Sequence, residues 1–310
     1  MDKIIANNSI SQSDYWDLIT STLSSYEVKV ISSDGKVIRR VVKDDYFLVN
    51  DVWNVNDIGQ IPNFKEQFNN YKAGGKYLKF STEINNIGLE IKFVLYHKLF
   101  SGELSLGSLF NPYSTSLNKL VLFLNEKQSR LSSLLDLDVE KAEKQWIWWL
   151  NNKGVKTTRT TKNIQYGERE NKTPVATFFR SVYEKLFELT DTREEWEKDR
   201  WDVRVLNANY GVDYNTSTVN FYIDFSKIKN AVFRQVFKKY IKTRLLGGGK
   251  FSWGTALRYL STVPMFLNFV SKIEPDWKDL KELTRKHIEK YLEYLLCFAS
   301  KKFRRLQRKV

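Results

Sequence analysis

Residues 252–270 read SWGTALRYLSTVPMFLNFV, and residues 276–295 read DWKDLKELTRKHIEKYLEYL. Ser252 suits a helix cap and opens a helix over about 253–272. Thr284 opens another over about 284–303. Just upstream, a helix near 227–246 carries Ile228, Val232, Val236 and Tyr240 with Phe233, Phe237 and Ile241, the i, i+4 spacing of a core face. Arg234, Lys238 and Lys242 make a basic stripe elsewhere on it, and Gly247–Gly249 breaks it. A three-helix arrangement follows.

The same layout occurs earlier in the chain. Asp51-Val-Trp53-Asn-Val55 is echoed by Asp199-Arg-Trp201-Asp-Val203, and Phe80-Ser81 by Phe225-Ser226. Phe93 and Tyr96 match Phe237 and Tyr240, and Phe123-Leu124-Asn125 returns as Phe266-Leu267-Asn268. Landmarks that keep their order and nearly their spacing indicate two tandem copies of one unit. In the first copy, helices are expected near 84–100, 114–128 (capped by Ser114 or Ser116), 138–152 (capped by Asp138) and 173–190, with Pro174 in its first turn. Tyr26–Val42 alternates around Ser33-Asp34-Gly35 as a hairpin, and Ser217–Phe225 is expected to be its counterpart. Residues 151–172 are polar and read as a long loop, while Thr192–Asp199 is an acidic link between the copies.

Charge separates the halves. The net charge is +14, yet residues 1–150 hold 17 Lys+Arg against 18 Asp+Glu, so the whole excess lies in residues 151–310. Between Asp224 and Glu274 there is no acidic residue, but there are ten basic ones: Lys227, Lys229, Arg234, Lys238, Lys239, Lys242, Arg244, Lys250, Arg258 and Lys272. A field of one sign draws a polyanion, and nucleic acid answers best because each phosphate neutralised releases counterions. The one cysteine, Cys297, forms no internal disulfide, and no Cys/His cluster suggests a metal. With no secretory leader and no apolar run of membrane length, a cytoplasmic protein without cofactor or membrane partner is expected.

The stretch after Ser252 resembles the N-terminal, SAM-like core-binding domain of tyrosine site-specific recombinases, the phage-integrase family. Thr255-x-x-x-Tyr259-Leu260, Phe266, Phe269 and Leu283-Thr284-x-x-x-Ile288-x-x-Tyr291-Leu292 carry the likeness. A looser version runs through Leu117, Leu120, Phe123, Leu124, Trp146, Trp149 and Leu150, then KTPVATFFRSVYEKLFEL at 172–189. EEWEKDRWDVR at 194–204 with IDFSKI at 223–228 is similar to long, transposase-type members. The resemblance covers about residues 110–300.

It implies a mainly α fold of two tandem helical bundles, each preceded by a small hairpin or strand element. The expected division is 1–110 (α/β region), 111–192 (first bundle), 193–226 (link and strands) and 227–310 (second bundle). The family clamps duplex DNA with this region and cleaves strands with a separate domain bearing arginine, His-x-x-Arg and a nucleophilic tyrosine. Here His97 precedes Lys-Leu-Phe and His287 precedes Ile-Glu-Lys. The expectation is therefore the front part of a longer recombinase, binding double-stranded DNA in a sequence-directed way and other recombinase subunits, without catalysing strand exchange.

Candidate DNA contacts are Arg234, Lys238 and Lys242, then Arg258, Arg285 and Lys290 on the following helices. Arg304 and Arg305 lie in the terminal basic run, and Lys156, Arg159, Lys172 and Thr173 sit where a basic loop meets a helix start. Trp53, Trp146, Trp149 and Trp201 are expected in the core rather than as base-stacking platforms. Asp51 and Asp199 are expected to cap turns. The competing reading is a non-enzymatic protein-interaction module whose charge keeps it in solution.

Overall fold

The computed structural model describes residues 11–31, 37–71, 76–82, 85–128, 131–163, 167–217, 220–247, 249 and 251–307. It is mainly helical, with small two-stranded antiparallel sheets. The chain forms two units, Met1–Thr192 and Arg193–Val310.

The first unit begins with helix α1 (Gln12–Leu23), capped by Ser11, and the hairpin β1 (Ser25–Ile31) and β2 (Val37–Lys43). The expected hairpin is present, and its Ser33-Asp34-Gly35 turn lies outside the described residues. Strands β3 (Val52–Asn54) and β4 (Tyr77–Lys79) pair next. Helices α2 (Asn85–Phe100), α3 (Ser114–Lys127) and α4 (Val139–Asn152) follow. Asp138 caps α4 as its spacing predicts, accepting from Lys141 N. Neither Ser114 nor Ser116 caps α3, because a π turn at Leu109–Tyr113 containing Pro112 runs directly into it.

Where a loop was expected, β5 (Thr158–Asn163) and β6 (Gly167–Lys172) form a second hairpin. Polar strands without apolar alternation leave no signal for a reading based on hydrophobic period. Helix α5 (Pro174–Thr190) then packs against α2, α3 and α4.

In the second unit β7 (Arg200–Asp202) pairs with β8 (Tyr222–Asp224). Helices α6 (Ala231–Leu246), α7 (Trp253–Ile273) and α8 (Arg285–Gln307) complete it. Ser252 caps α7, accepting from Thr255 N. The strands share one core with α6 and α7: Trp201, Ile223 and Phe225 lie with Phe233, Phe237, Trp253 and Leu260. The acidic stretch belongs to that core too. Trp196 is buried in it, and Glu195 is buried, accepting from Asp202 N.

The tandem repeat is visible bond by bond. Trp53 stands opposite Leu78 as Trp201 stands opposite Ile223. Phe80 N donates to Asp51 O at 2.9 Å, and Phe225 N to Asp199 O at 2.8 Å. The Trp53–Phe80 rings lie 4.6 Å apart and the Trp201–Phe225 rings 4.4 Å. The counterpart of β7–β8 is thus β3–β4, not the Tyr26–Val42 hairpin. All four expected core tryptophans are buried.

Each copy also buries one lysine against its repeated aspartate. Lys92 Nζ lies 2.9 Å from Asp51 Oδ1 and 3.0 Å from Leu48 O. Lys238 Nζ lies 3.3 Å from Asp199 Oδ1 and 2.7 Å from Glu197 O. The two lysines are 2% and 3% exposed. A buried ammonium needs its donors satisfied and its charge matched, so these aspartates are ion-pair partners rather than turn caps. Matching Lys92 to Lys238 shifts the sequence alignment of the helices by two residues. Ile87, Ile91 and Leu95 then match Phe233, Phe237 and Ile241, all buried.

The same register corrects the α6 core face. Val232, Val236 and Tyr240 are 41%, 39% and 44% exposed. Their α2 counterparts include Glu90 and Val94, both buried. Glu90 accepts from Tyr15 of α1, from Ser133 and from Leu134 N. Burial pushes its carboxyl up to about 7 despite those three donors.

Two outcomes follow from these buried charges. Asp199→Ala strands the Lys238 ammonium and should lower unfolding free energy by about 2–3 kcal/mol, below the cost for a fully enclosed pair because Asp199 is partly solvated. Lys238→Met should cost less; urea denaturation followed by tryptophan fluorescence compares them. Glu90, with its folded pKa raised above the ordinary carboxylate value, contributes stability that is fully present below about pH 4.5 and lost as pH rises through about 7. Subtracting the pH–stability profile of Glu90→Gln from that of the parent should leave this falling component; a flat difference refutes the assignment.

Candidate nucleic-acid interface

Residues 234, 238 and 242 share one face of α6 by their i, i+4 spacing, and that face looks inward. Arg234 Nη1 lies 3.4 Å from Asp199 Oδ2, on the same carboxylate that holds Lys238. Burial pulls the Lys238 ammonium below its ordinary pKa, with Asp199 opposing. Lys242 sets its ammonium 5.1 Å from the Trp196 ring and is half-buried. The stripe clamps the helix onto the Trp196–Asp199 segment. Lys238 is thereby removed from the candidate contacts, because its donors are spent inside the unit.

The outward basic surface lies on α7. Arg258, Ser261, Met265, Asn268 and Lys272 fall on one helical face; all but half-buried Asn268 are exposed. Asn268 ties the segment before α6 to this face: its Nδ2 donates to Lys227 O at 2.7 Å, and its Oδ1 accepts from Lys229 N at 2.8 Å. That pair of bonds sets the exposed Lys227 and Lys229 beside the α7 face. A groove of about 530 Å³ runs here, lined among others by Lys227, Pro264, Met265, Asn268, Lys272 and Tyr294. No carboxylate belongs to residues 225–273, and Glu274 lies 3.5 Å from His287 Nε2. The site therefore presents exposed ammonium and guanidinium groups around a partly apolar groove.

On α8, Arg285 pairs with Glu289 at 2.8 Å, both groups exposed. Such a surface pair contributes little and can exchange for a phosphate. Lys290 is exposed. Arg304 and Arg305 fall within the α8 backbone, so the basic run is helical there, but their side chains lie outside the described residues.

In the first unit, Lys156 and Arg159 are exposed. Lys172 is engaged by Glu143 at 2.8 Å, and Arg180 holds the same carboxylate. Thr173 caps α5, accepting from Ala176 N, and its hydroxyl donates to Lys156 O at 3.0 Å. It serves the helix start instead of standing open for a ligand.

Neither histidine is among the residues that line the α7 groove. His97 is held down to about 4, first by burial and then by Lys185. His287 rests 4.8 Å from the Trp277 ring. Among the described residues no group of three His, Cys, Asp or Glu could hold a metal ion. Among them, too, no helix is long and apolar enough to cross a membrane.

In the sequence Lys227, Lys229 and Lys272 stand out only as members of the acid-free stretch. The signal that finds them is the acid-free run itself, once the α6 stripe is known to be consumed by Asp199 and Trp196.

The chain is 26% identical over 257 residues to transposase B from transposon Tn554 in two strains of Staphylococcus aureus, covering 80% of this chain and 40% of those proteins. Transposase B from transposon PsiTn554 of Staphylococcus aureus matches with the same identity and coverage. The chain thus spans 40% of the length of these relatives. No family model matches it, and no solved structure does.

Proposed function

We propose that this chain binds double-stranded DNA as the front, non-catalytic part of a transposase of the tyrosine-recombinase type, working in the cytoplasm with other recombinase subunits. Similarity to transposase B sets the context of DNA transposition. The resemblance of residues 252–295 to core-binding domains supplies the role. The observation that carries the reading is the acid-free outer face of α7, which exposes Arg258 and Lys272 and to which Asn268 ties the segment bearing Lys227 and Lys229. Phosphate contacts from such a face position a protein on a duplex and make its affinity fall with salt.

The strand chemistry, in this reading, belongs to residues other than these. Neither histidine begins a His-x-x-Arg pair. His97, on α2, is half-buried, and desolvation favours its neutral form.

A second reading rests on the exposed apolar residues of the second unit. Val232, Val236 and Tyr240 on α6, with Ile288, Leu292 and Leu296 on α8, are open to solvent. They suit a protein partner, and they are compatible with DNA binding as well as with the interaction module alone.

Fluorescence anisotropy of a labelled duplex, titrated at several salt concentrations, separates the two. The intact chain should bind with affinity that falls steeply with salt. Joint replacement of Lys227, Arg258 and Lys272 by alanine should weaken binding and reduce the log–log salt slope by up to about 3. Lys242→Ala, on the inward face, should leave that slope nearly unchanged. Salt-independent affinity, or a triple variant that binds like the parent, would favour the interaction module.

A further inference from the structure

The hairpin between α4 and α5 has strands reading TRTTKN and GERENK, with no apolar side chain in either. An isolated two-stranded ribbon is marginal in water, and this one has no hydrophobic face with which to dock. Its root is well fixed: Thr173 N donates to Thr157 O at 2.9 Å, and buried Thr157 donates to Asn151 Oδ1 at 2.9 Å. Hydrophobic packing is therefore not what these strands contribute, while the base is held between two helices of the core.

Strand alternation sorts its charges. Cross-strand partners share a face, and neighbours along a strand do not. Arg159 stands opposite Asn171, and Thr161 opposite Arg169. The Asn171 amide donates to the Thr161 hydroxyl at 2.6 Å across that face. Thr158 opposite Lys172 and Thr160 opposite Glu170 make the other face. Glu168, two residues from Glu170, belongs with them, and Lys172 reaches to Glu143. The two acids of the hairpin thus lie on one side, leaving two arginines, an asparagine and a threonine together on the other, all four exposed.

Resting on the DNA-binding reading above, we infer that the Arg159–Thr161–Arg169–Asn171 face enters the major groove of duplex DNA and reads base edges. The groove admits a two-stranded ribbon. Six residues per strand span ~20 Å, enough to follow several base pairs. The side chains match the groove's chemistry: arginine donates to guanine O6 and N7, asparagine pairs with adenine N6 and N7, and the threonine methyl suits the thymine methyl, its hydroxyl being held by Asn171 Nδ2 and Arg169 O. The α7 surface, built of lysines and one arginine, offers position without sequence. The ribbon adds the discrimination.

Selection of duplexes from a pool with a randomised central segment, performed with the full chain and with Arg159→Ala/Arg169→Ala, tests this. Both positions are exposed, so the variant should keep the thermal midpoint of the parent. The intact chain should enrich a preferred sequence. The double variant should lose roughly 10- to 100-fold discrimination at each base pair its arginines read, while the positions it does not read keep theirs. An unchanged preference overturns the inference. So does a uniform loss over all duplexes with a salt slope smaller by about 2, which marks phosphate contacts and leaves the general DNA-binding reading standing. Enrichment of no sequence by the intact chain overturns the groove-reading role alone, and no duplex binding at all removes both.

Discussion

A lysine ammonium carried into a protein core must find both hydrogen-bond acceptors and an opposing charge, or the fold is disfavoured by several kcal/mol. Both units meet that requirement in one way. Lys92 and Lys238 each reach from the long helix after the strand pair to an aspartate flanking the first strand, and to one backbone carbonyl. The tether fixes the rotation of α2 and of α6 about their axes. It therefore decides which residues enter the core and which meet water. Ile87, Ile91 and Leu95 in one copy, and Phe233, Phe237 and Ile241 in the other, follow from it.

The tether also decides the electrostatics of the second unit. Because Asp199 accepts both Lys238 and Arg234, and Trp196 receives Lys242, the Arg234–Lys238–Lys242 stripe is used to hold α6 in place. Left open to a polyanion, beside other exposed cations, is the quieter set around Asn268. There a single side-chain amide, bridging Lys227 and Lys229, aligns the approach to α6 with the outer face of α7. Cations that a pattern ranks highest are not the ones left to act.

The two copies have diverged in what covers them. In the first unit α1 lies on α2, and α5 spans α2, α3 and α4. Tyr15 and Ser133 close over Glu90. The corresponding α6 surface, with Val232, Val236 and Tyr240, is exposed in the second unit. Copies built on one scaffold thus carry different surfaces: a polar ribbon rooted between α4 and α5 in one, and a basic helical face in the other.

The sequence by itself determined the mainly helical class, the tandem repeat, the caps at Asp138 and Ser252, the β1–β2 strands and the burial of the four tryptophans. These depend on local propensity, apolar period or composition, which are written along the chain. Only the tertiary structure decided the pairing of β3 with β4 and of β7 with β8, three residues long each. It alone placed the buried lysines and the sheet in residues 158–172. A buried lysine and a solvated one are spelled alike, and a strand without apolar residues looks like a loop. In both cases the deciding term is a partner distant in sequence, Asp199 for Lys238 or Asn171 for Arg159, and no local pattern records it.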